Sequence, residues 1–256
     1  MAEPCIELSG ISKTYQTSKG PVHALQDIRL DVAEGEFVSV VGQTGCGKST
    51  LLKIISGILK PSQGMVSVRG GSVHQARTDT EFGFIFQDPV LLPWRDALKN
   101  VRLPLEVIGY SEKDINRRCS EMLEFVGLQD FAAAKTWELS GGMKQRVAIV
   151  RALGFDPSIL LMDEPFSALD EITRQNLQED FLVLWEKGRK TVVLVTHSVA
   201  EAVFLSDRVV VMSPRPGRVR GEVAVCLPRP RTREMAESQP YFDLLAKVRS
   251  LLLGGM

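Results

Sequence analysis

The residues best equipped for chemistry lie together in the stretch GQTGCGKST from Gly42 to Thr50, which fits G-x-x-x-x-G-K-[ST] without a departure. Gly42, Gly45 and Gly47 let the backbone turn tightly and bring its N–H groups up to phosphate oxygens. A helix starting after them would add the positive end of its dipole. Lys48 has the reach for β- and γ-phosphates, and the Ser49 hydroxyl is a hard ligand for Mg²⁺. The stretch therefore predicts a nucleoside triphosphate site. Cys46, near a helix N-terminus, is expected to have a lowered thiol pKa and to react with alkylating agents unless nucleotide covers it.

The loop needs a strand before it and a helix after it, and the sequence supplies both. Residues 37–41 are an apolar, β-branched run, and 51–59 read as a helix apolar on most sides. Further buried strands are expected at 82–86, 159–162, 191–195 and 208–212. Helices are expected at 111–126, from Ser140 to Leu153, at 171–187 and at 199–205. Alternating segments at 6–13, 23–32 and 65–69 read as half-exposed antiparallel strands, with Tyr15 in a connection. Residues 88–104, broken by Pro89, Pro93 and Pro104, are expected to be loop with short helical pieces. Beyond Ser213 the chain is rich in Pro and Arg, then closes with an amphipathic helix from Tyr241 to about Leu252. Buried strands alternating with helices argue for a parallel α/β core.

Four of the apolar strands end in residues able to handle phosphate, metal or water: the loop at Gly42, Gln87, Asp163-Glu164 and His197. In an open parallel sheet, ligands bind beyond the carboxyl ends of the strands, so these four groups should meet at one edge. Phosphoryl-transfer chemistry then suggests roles. Asp163 would hold Mg²⁺, Glu164 would polarise an attacking water, Gln87 would contact metal or water, and His197 the γ-phosphate. A second string, LSGGMKQR from Leu139 to Arg146, sets a serine and two glycines at a helix start, which makes another anion-binding terminus. One triphosphate is already provided for, so this terminus points to a nucleotide held by another subunit.

These strings together resemble the nucleotide-binding subunit of an ABC transporter, over residues 6–212. Walker A matches 42–49, the Q-loop glutamine Gln87, the signature 139–146, Walker B 159–164, the D-loop 167–170 and the switch histidine His197. The resemblance implies a P-loop NTPase (RecA-like) parallel-sheet core with an antiparallel β subdomain and an α-helical insertion subdomain. It implies one domain over 1–256, with the β layer near 1–36 and 62–80, the helical part near 88–154 and an extension from 214. ATP contacts are implied for Tyr15, Gly42, Gln43, Thr44, Gly45, Cys46, Gly47, Lys48, Ser49 and Thr50. Catalytic roles are implied for Glu164, His197 and Gln87, and Mg²⁺ contacts for Ser49, Gln87 and Asp163. Ser140, Gly141, Gly142 and Gln145 would close over the ATP of the other subunit in a head-to-tail homodimer. Integral membrane permease subunits would dock on the Gln87–Arg102 region, and an extracytoplasmic solute-binding protein would act indirectly. FQDPVLLPWR at 86–95 and the Pro/Arg strings at 213–219 and 227–231 resemble importers of nitrate, taurine and alkanesulfonates. For the Pro/Arg stretch a solvated linker stands as the other reading.

Composition fits that frame. The 256 residues carry 31 Lys+Arg against 31 Asp+Glu, so no basic field argues for a nucleic acid partner. No apolar run reaches the ~20 residues that span a bilayer, and no signal peptide is read at the N-terminus. Four scattered cysteines suggest neither a zinc site nor a disulfide framework. The expected location is peripheral, on the cytoplasmic side of the inner or plasma membrane. No guanine-reading N-K-x-D string occurs, and no long heptad segment of the DNA-repair ATPases.

Overall fold

The computed structural model describes residues 3–254. Five strands, β3 (Phe37–Val41), β6 (Phe82–Ile85), β7 (Ile159–Asp163), β8 (Thr191–Thr196) and β9 (Arg208–Met212), run parallel in the order β9-β3-β8-β7-β6. Their side chains alternate between two cores. Phe37, Leu160, Met162, Val192, Leu194, Val209 and Val211 belong to one. Val38, Val40, Ile159, Leu161, Val193, Val195 and Val210 belong to the other. Coverage on both faces is why these strands read as unbroken apolar runs. Phe37 anchors the first core, edge-on to Phe181 at 6.2 Å and Trp185 at 5.6 Å between ring centroids.

The second core is closed by α1 (Lys48–Ile55) and by a separate antiparallel sheet. That sheet pairs β2 (Gly20–Val32), β1 (Ile6–Thr17), β4 (Gln63–Val68) and the short β5 (Gly71–Ser72) in this order. A one-and-a-half-turn helix, α2 (Val73–Thr78), follows it. The first core is closed by α3 (Ala97–Ile108), α4 (Glu112–Phe125), α5 (Gly141–Leu153), α6 (Glu171–Gly188) and α7 (Val199–Leu205). Serine or aspartate caps set several helix starts, with Ser111, Ser140, Asp170 and Ser198 each accepting from an N–H three residues on.

Several local expectations need correction. Pro104 sits inside α3, in the segment expected to be loop. The helix survives because Asp96 caps it, while buried Asn100, Val101 and Leu105 fix its inner face. Tyr15 lies within β1 opposite Val22, since the hairpin with β2 extends to Thr17 and Gly20. Helix α1 stops at Ile55 rather than Leu59, because Gly57 turns the chain at φ +68°. Beyond Ser213 the chain adds β10 (Val219–Ala224), antiparallel to β9, before α8 (Gln239–Leu253). The Pro/Arg stretch is no solvated linker. Arg229 stacks on Trp185 at 4.2 Å and donates to the carbonyl of Leu205, and buried Arg231 donates to those of Val203 and Phe204. Two arginines from the extension thus cap the carbonyl end of α7.

Candidate nucleotide site at the sheet edge

Strand register decides what meets at the edge. Val41 lies beside Thr196, Asp163 beside Val195, and Ile85 beside Met162, so the residues following these strands emerge together. Gly47, at φ +108°, is the turn into α1. A Cβ there would stand 2.7 Å from Leu25 and 2.9 Å from the Ala24 carbonyl, so only glycine fits. Lys48 is buried, its Nζ donating to the carbonyls of Gly42 at 2.8 Å and Gln43 at 3.1 Å. Its charge is therefore held at the loop rather than in solvent.

Ser49 Oγ donates to Asp163 Oδ1 at 2.9 Å. Burial pushes the Asp163 carboxyl pKa upward and Glu164 adds to the rise, while the Ser49 hydrogen bond, Lys53 and Lys48 oppose it. Two hard oxygen groups in a low-dielectric setting suit Mg²⁺, which binds through one or two protein oxygens plus phosphate and water.

Glu164 has φ +47°, a backbone conformation non-glycine residues adopt at a cost. Its N–H donates to Val195, and its carbonyl accepts from the Ser167 hydroxyl at 2.9 Å, so the strand and the following turn hold it there. Its Oε2 lies 2.9 Å from His197 Nδ1. Beside this pair is a cavity of about 60 Å³ lined by Glu164, Ser167, Arg174, Thr196, His197 and Glu201. At roughly 10–15 Å³ of such volume per molecule, it has room for a few waters.

Gln87 is exposed in the turn beyond β6, at the same edge. Tyr15 reaches the loop from the antiparallel sheet, its hydroxyl 3.2 Å from Thr50 Oγ1. Gln43, Thr44 and Gly45 are exposed on the loop's crown. Cys46 departs from expectation. It is buried, and burial drives its thiol pKa up, outweighing the Lys48 charge and the loop's amides. Selective alkylation is not expected of it.

Ser140 and Gly141 are exposed at the start of α5, where the Ser140 hydroxyl accepts from the Met143 N–H. No hydrogen bond among the described residues joins them to the loop at 42–50. Gly142 packs tightly, since a Cβ there would stand 3.2 Å from Leu169 in the turn before α6. Gln145 is a correction. It is fully buried and donates to the Phe86 carbonyl, because the fifth position beyond Ser140 lies on the inner face of α5. It cannot reach another subunit's nucleotide from there. One turn and a half later, Arg151 donates to the carbonyls of Pro89 and Val90 at 2.9 and 2.8 Å. Helix α5 thus grips the chain on either side of Gln87, at Phe86 and at Pro89-Val90, a contact that no sequence signal announced.

A family model described as "ABC transporter" matches residues 25–167, which include the loop, Asp163 and Glu164. The chain belongs to the ABC transporter family. Among ABC relatives, the bicarbonate transport ATP-binding protein CmpD of Synechococcus elongatus is 43% identical over 94% of this chain and 88% of its own length. The nitrate import ATP-binding protein NrtD of the same organism is 42% identical over 92% of this chain and 86% of its own. A solved ABC cassette, a dimeric post-hydrolysis state bound to ADP and Pi, superposes with a TM-score of 0.79 at 35% identity. It covers 87% of this chain and all of its own.

Proposed function

We propose that this chain is the ATP-hydrolysing subunit of an ABC importer for a small anionic solute of the nitrate, bicarbonate, taurine or alkanesulfonate class. The observation that carries the reading is a pair of contacts beside one phosphate loop, Ser49 to Asp163 and Glu164 to His197, both at 2.9 Å. Lys48 and the loop amides bind the triphosphate, and Tyr15 offers its ring to the adenine. Ser49 and Asp163, assisted by Gln87, would hold Mg²⁺, which supplies charge neutralisation on the β- and γ-phosphates. Glu164 takes the proton of a water in the adjoining cavity, and His197 holds the Glu164 carboxylate and the γ-phosphate end. The whole chain acts as one ATPase unit, with the antiparallel layer, the helical part and the C-terminal extension serving the same site.

Two copies work head to tail, Ser140, Gly141 and Gly142 of one closing over the ATP of the other. The similarity to a dimeric cassette supports this arrangement. Exposed Val90 and Trp94 in the segment after Gln87 suit docking on a membrane permease. No helix among the described residues is long and apolar enough to cross a membrane. The proposed place is peripheral, on the cytoplasmic face, where the permease subunits present their docking surface. A solute-binding protein on the far side selects the cargo.

Glu164→Gln tests the hydrolytic assignment. ATP binding is retained while phosphate release falls by at least about 100-fold, the usual scale of a lost general base. Turnover near that of wild type in this variant rejects it.

A further inference from the structure

One cation at the phosphate loop has no part in the roles above. Arg215 belongs to the SPRPGRV string at 213–219, between β9 and β10, and is exposed. Its Nε and Nη2 both donate to the carbonyl of Gly45, at 3.2 and 3.1 Å. The arm that delivers it is well anchored. The Gly217 N–H donates to Ala24 and its carbonyl accepts from Gln26, both at 2.9 Å. Arg218 Nη2 reaches Gln26 Oε1 at 2.6 Å, and the Ser213 and Arg218 backbones pair at 2.9 Å. The arm therefore lies on β2, the strand against which Gly47 packs, and Arg215 reaches from it to the crown of the loop.

From this geometry we propose that Arg215 is a positioning residue for the phosphate loop, one that sets its affinity for the triphosphate. The inference rests on the ATP-binding reading above. The Gly45–Cys46 peptide is fixed at both ends, its carbonyl by Arg215 and its N–H by the Gln43 carbonyl at 3.2 Å. That Gln43 carbonyl also accepts from Lys48 Nζ. A guanidinium on the Gly45 oxygen polarises the peptide and strengthens the next hydrogen bond in the chain. Gly45 itself has φ +78°, a soft position that needs such a restraint. The fixed charge also raises the positive potential where the phosphates bind. Arg215 thereby prepares the loop without touching the reacting atoms, so it acts on binding and not on the chemical step.

The test compares wild type with Arg215→Ala, Arg215→Lys and Arg218→Ala, by equilibrium ATP binding and steady-state hydrolysis. Loss of this solvent-exposed, charge-assisted pair of hydrogen bonds predicts a rise of about 5-fold in Kd and KM for Arg215→Ala, with kcat unchanged. Arg215→Lys, which keeps the charge and a donor, recovers part of the loss, and adding salt narrows the gap between wild type and Arg215→Ala. Arg218→Ala removes one side-chain anchor while the two Gly217 backbone hydrogen bonds still hold the arm on β2, so it leaves Kd and KM at wild-type values. Unchanged Kd and KM in Arg215→Ala, with wild type binding ATP normally, overturn the role of Arg215 and leave the ATPase reading intact. Equal losses in Arg215→Ala and Arg218→Ala, with matching falls in melting temperature, overturn it in favour of arm packing. Failure of wild type to bind ATP at all rejects the ATPase reading itself.

Discussion

Glu164 and Glu201 are two carboxylates near His197 with different duties. Glu164 is held in left-handed backbone to face a water-sized cavity. Glu201 is buried behind it, accepting from Gln178 at 2.8 Å. Burial raises the Glu201 carboxyl pKa, and hydrogen bonds from Thr196 and Gln178 with the charges of Arg174 and His197 offset this only in part. A carboxyl raised in the folded state stabilises the fold fully below its ordinary pKa, and that contribution is lost as pH rises through the folded value. Glu201→Gln should therefore melt about 3 °C above wild type near neutral pH, the difference closing in mild acid. Melting curves of both proteins between about pH 5 and pH 8 check this; a constant offset across that range refutes the ionisation argument. At this scale the positions of Asp163, Glu164 and His197 were legible because each sits at the end of an apolar run, and that of Lys48 because the glycine-rich loop announces it. The sequence misled about Cys46 and Gln145, since burial by residues distant in sequence has no local signature.

Among the elements, α7 is the one whose support was least visible. The segment Pro228 to Arg231 looked like linker because its acceptors, the carbonyls of Val203, Phe204 and Leu205, carry no side-chain code. Burial pushes the Arg231 pKa down to about 10, with Arg229 contributing, so this arginine is retained at a cost. Arg231→Met keeps the volume but strands two helix-terminal carbonyls, and should destabilise the protein by about 2 kcal/mol. Urea unfolding measures the change, and a variant at least as stable as wild type would show the cap to be dispensable. Helix and strand positions were otherwise legible wherever capping residues and apolar periodicity agreed, as at Ser111, Ser140 and Asp170. Pro104 misled because packing of Asn100, Val101 and Leu105 overrides one missing backbone hydrogen bond.

At the scale of the molecule, the loop at 42–50 and the start of α5 make no hydrogen bond to each other among the described residues. A second copy is what joins them in the proposed function. Glu164→Gln with ATP should elute from a sizing column at twice the mass of the chain, since closure proceeds and hydrolysis does not. Adding Ser140→Arg, which crowds the exposed cap, should return it to single-chain mass, and persistence of the larger species would count against the head-to-tail arrangement.

Helix α5 has a mechanical consequence. Its 13 residues make a rod about 20 Å long. One end presents Ser140 and Gly141, and the other is bolted through Arg151 to Pro89 and Val90. A helix this short turns as one body, so a tilt at its start is carried along to Arg151. Under the proposed function, capture of a neighbour's nucleotide at Ser140 would shift the segment at Pro89 and Val90 in the same movement, over a distance scaled by the length of one helix.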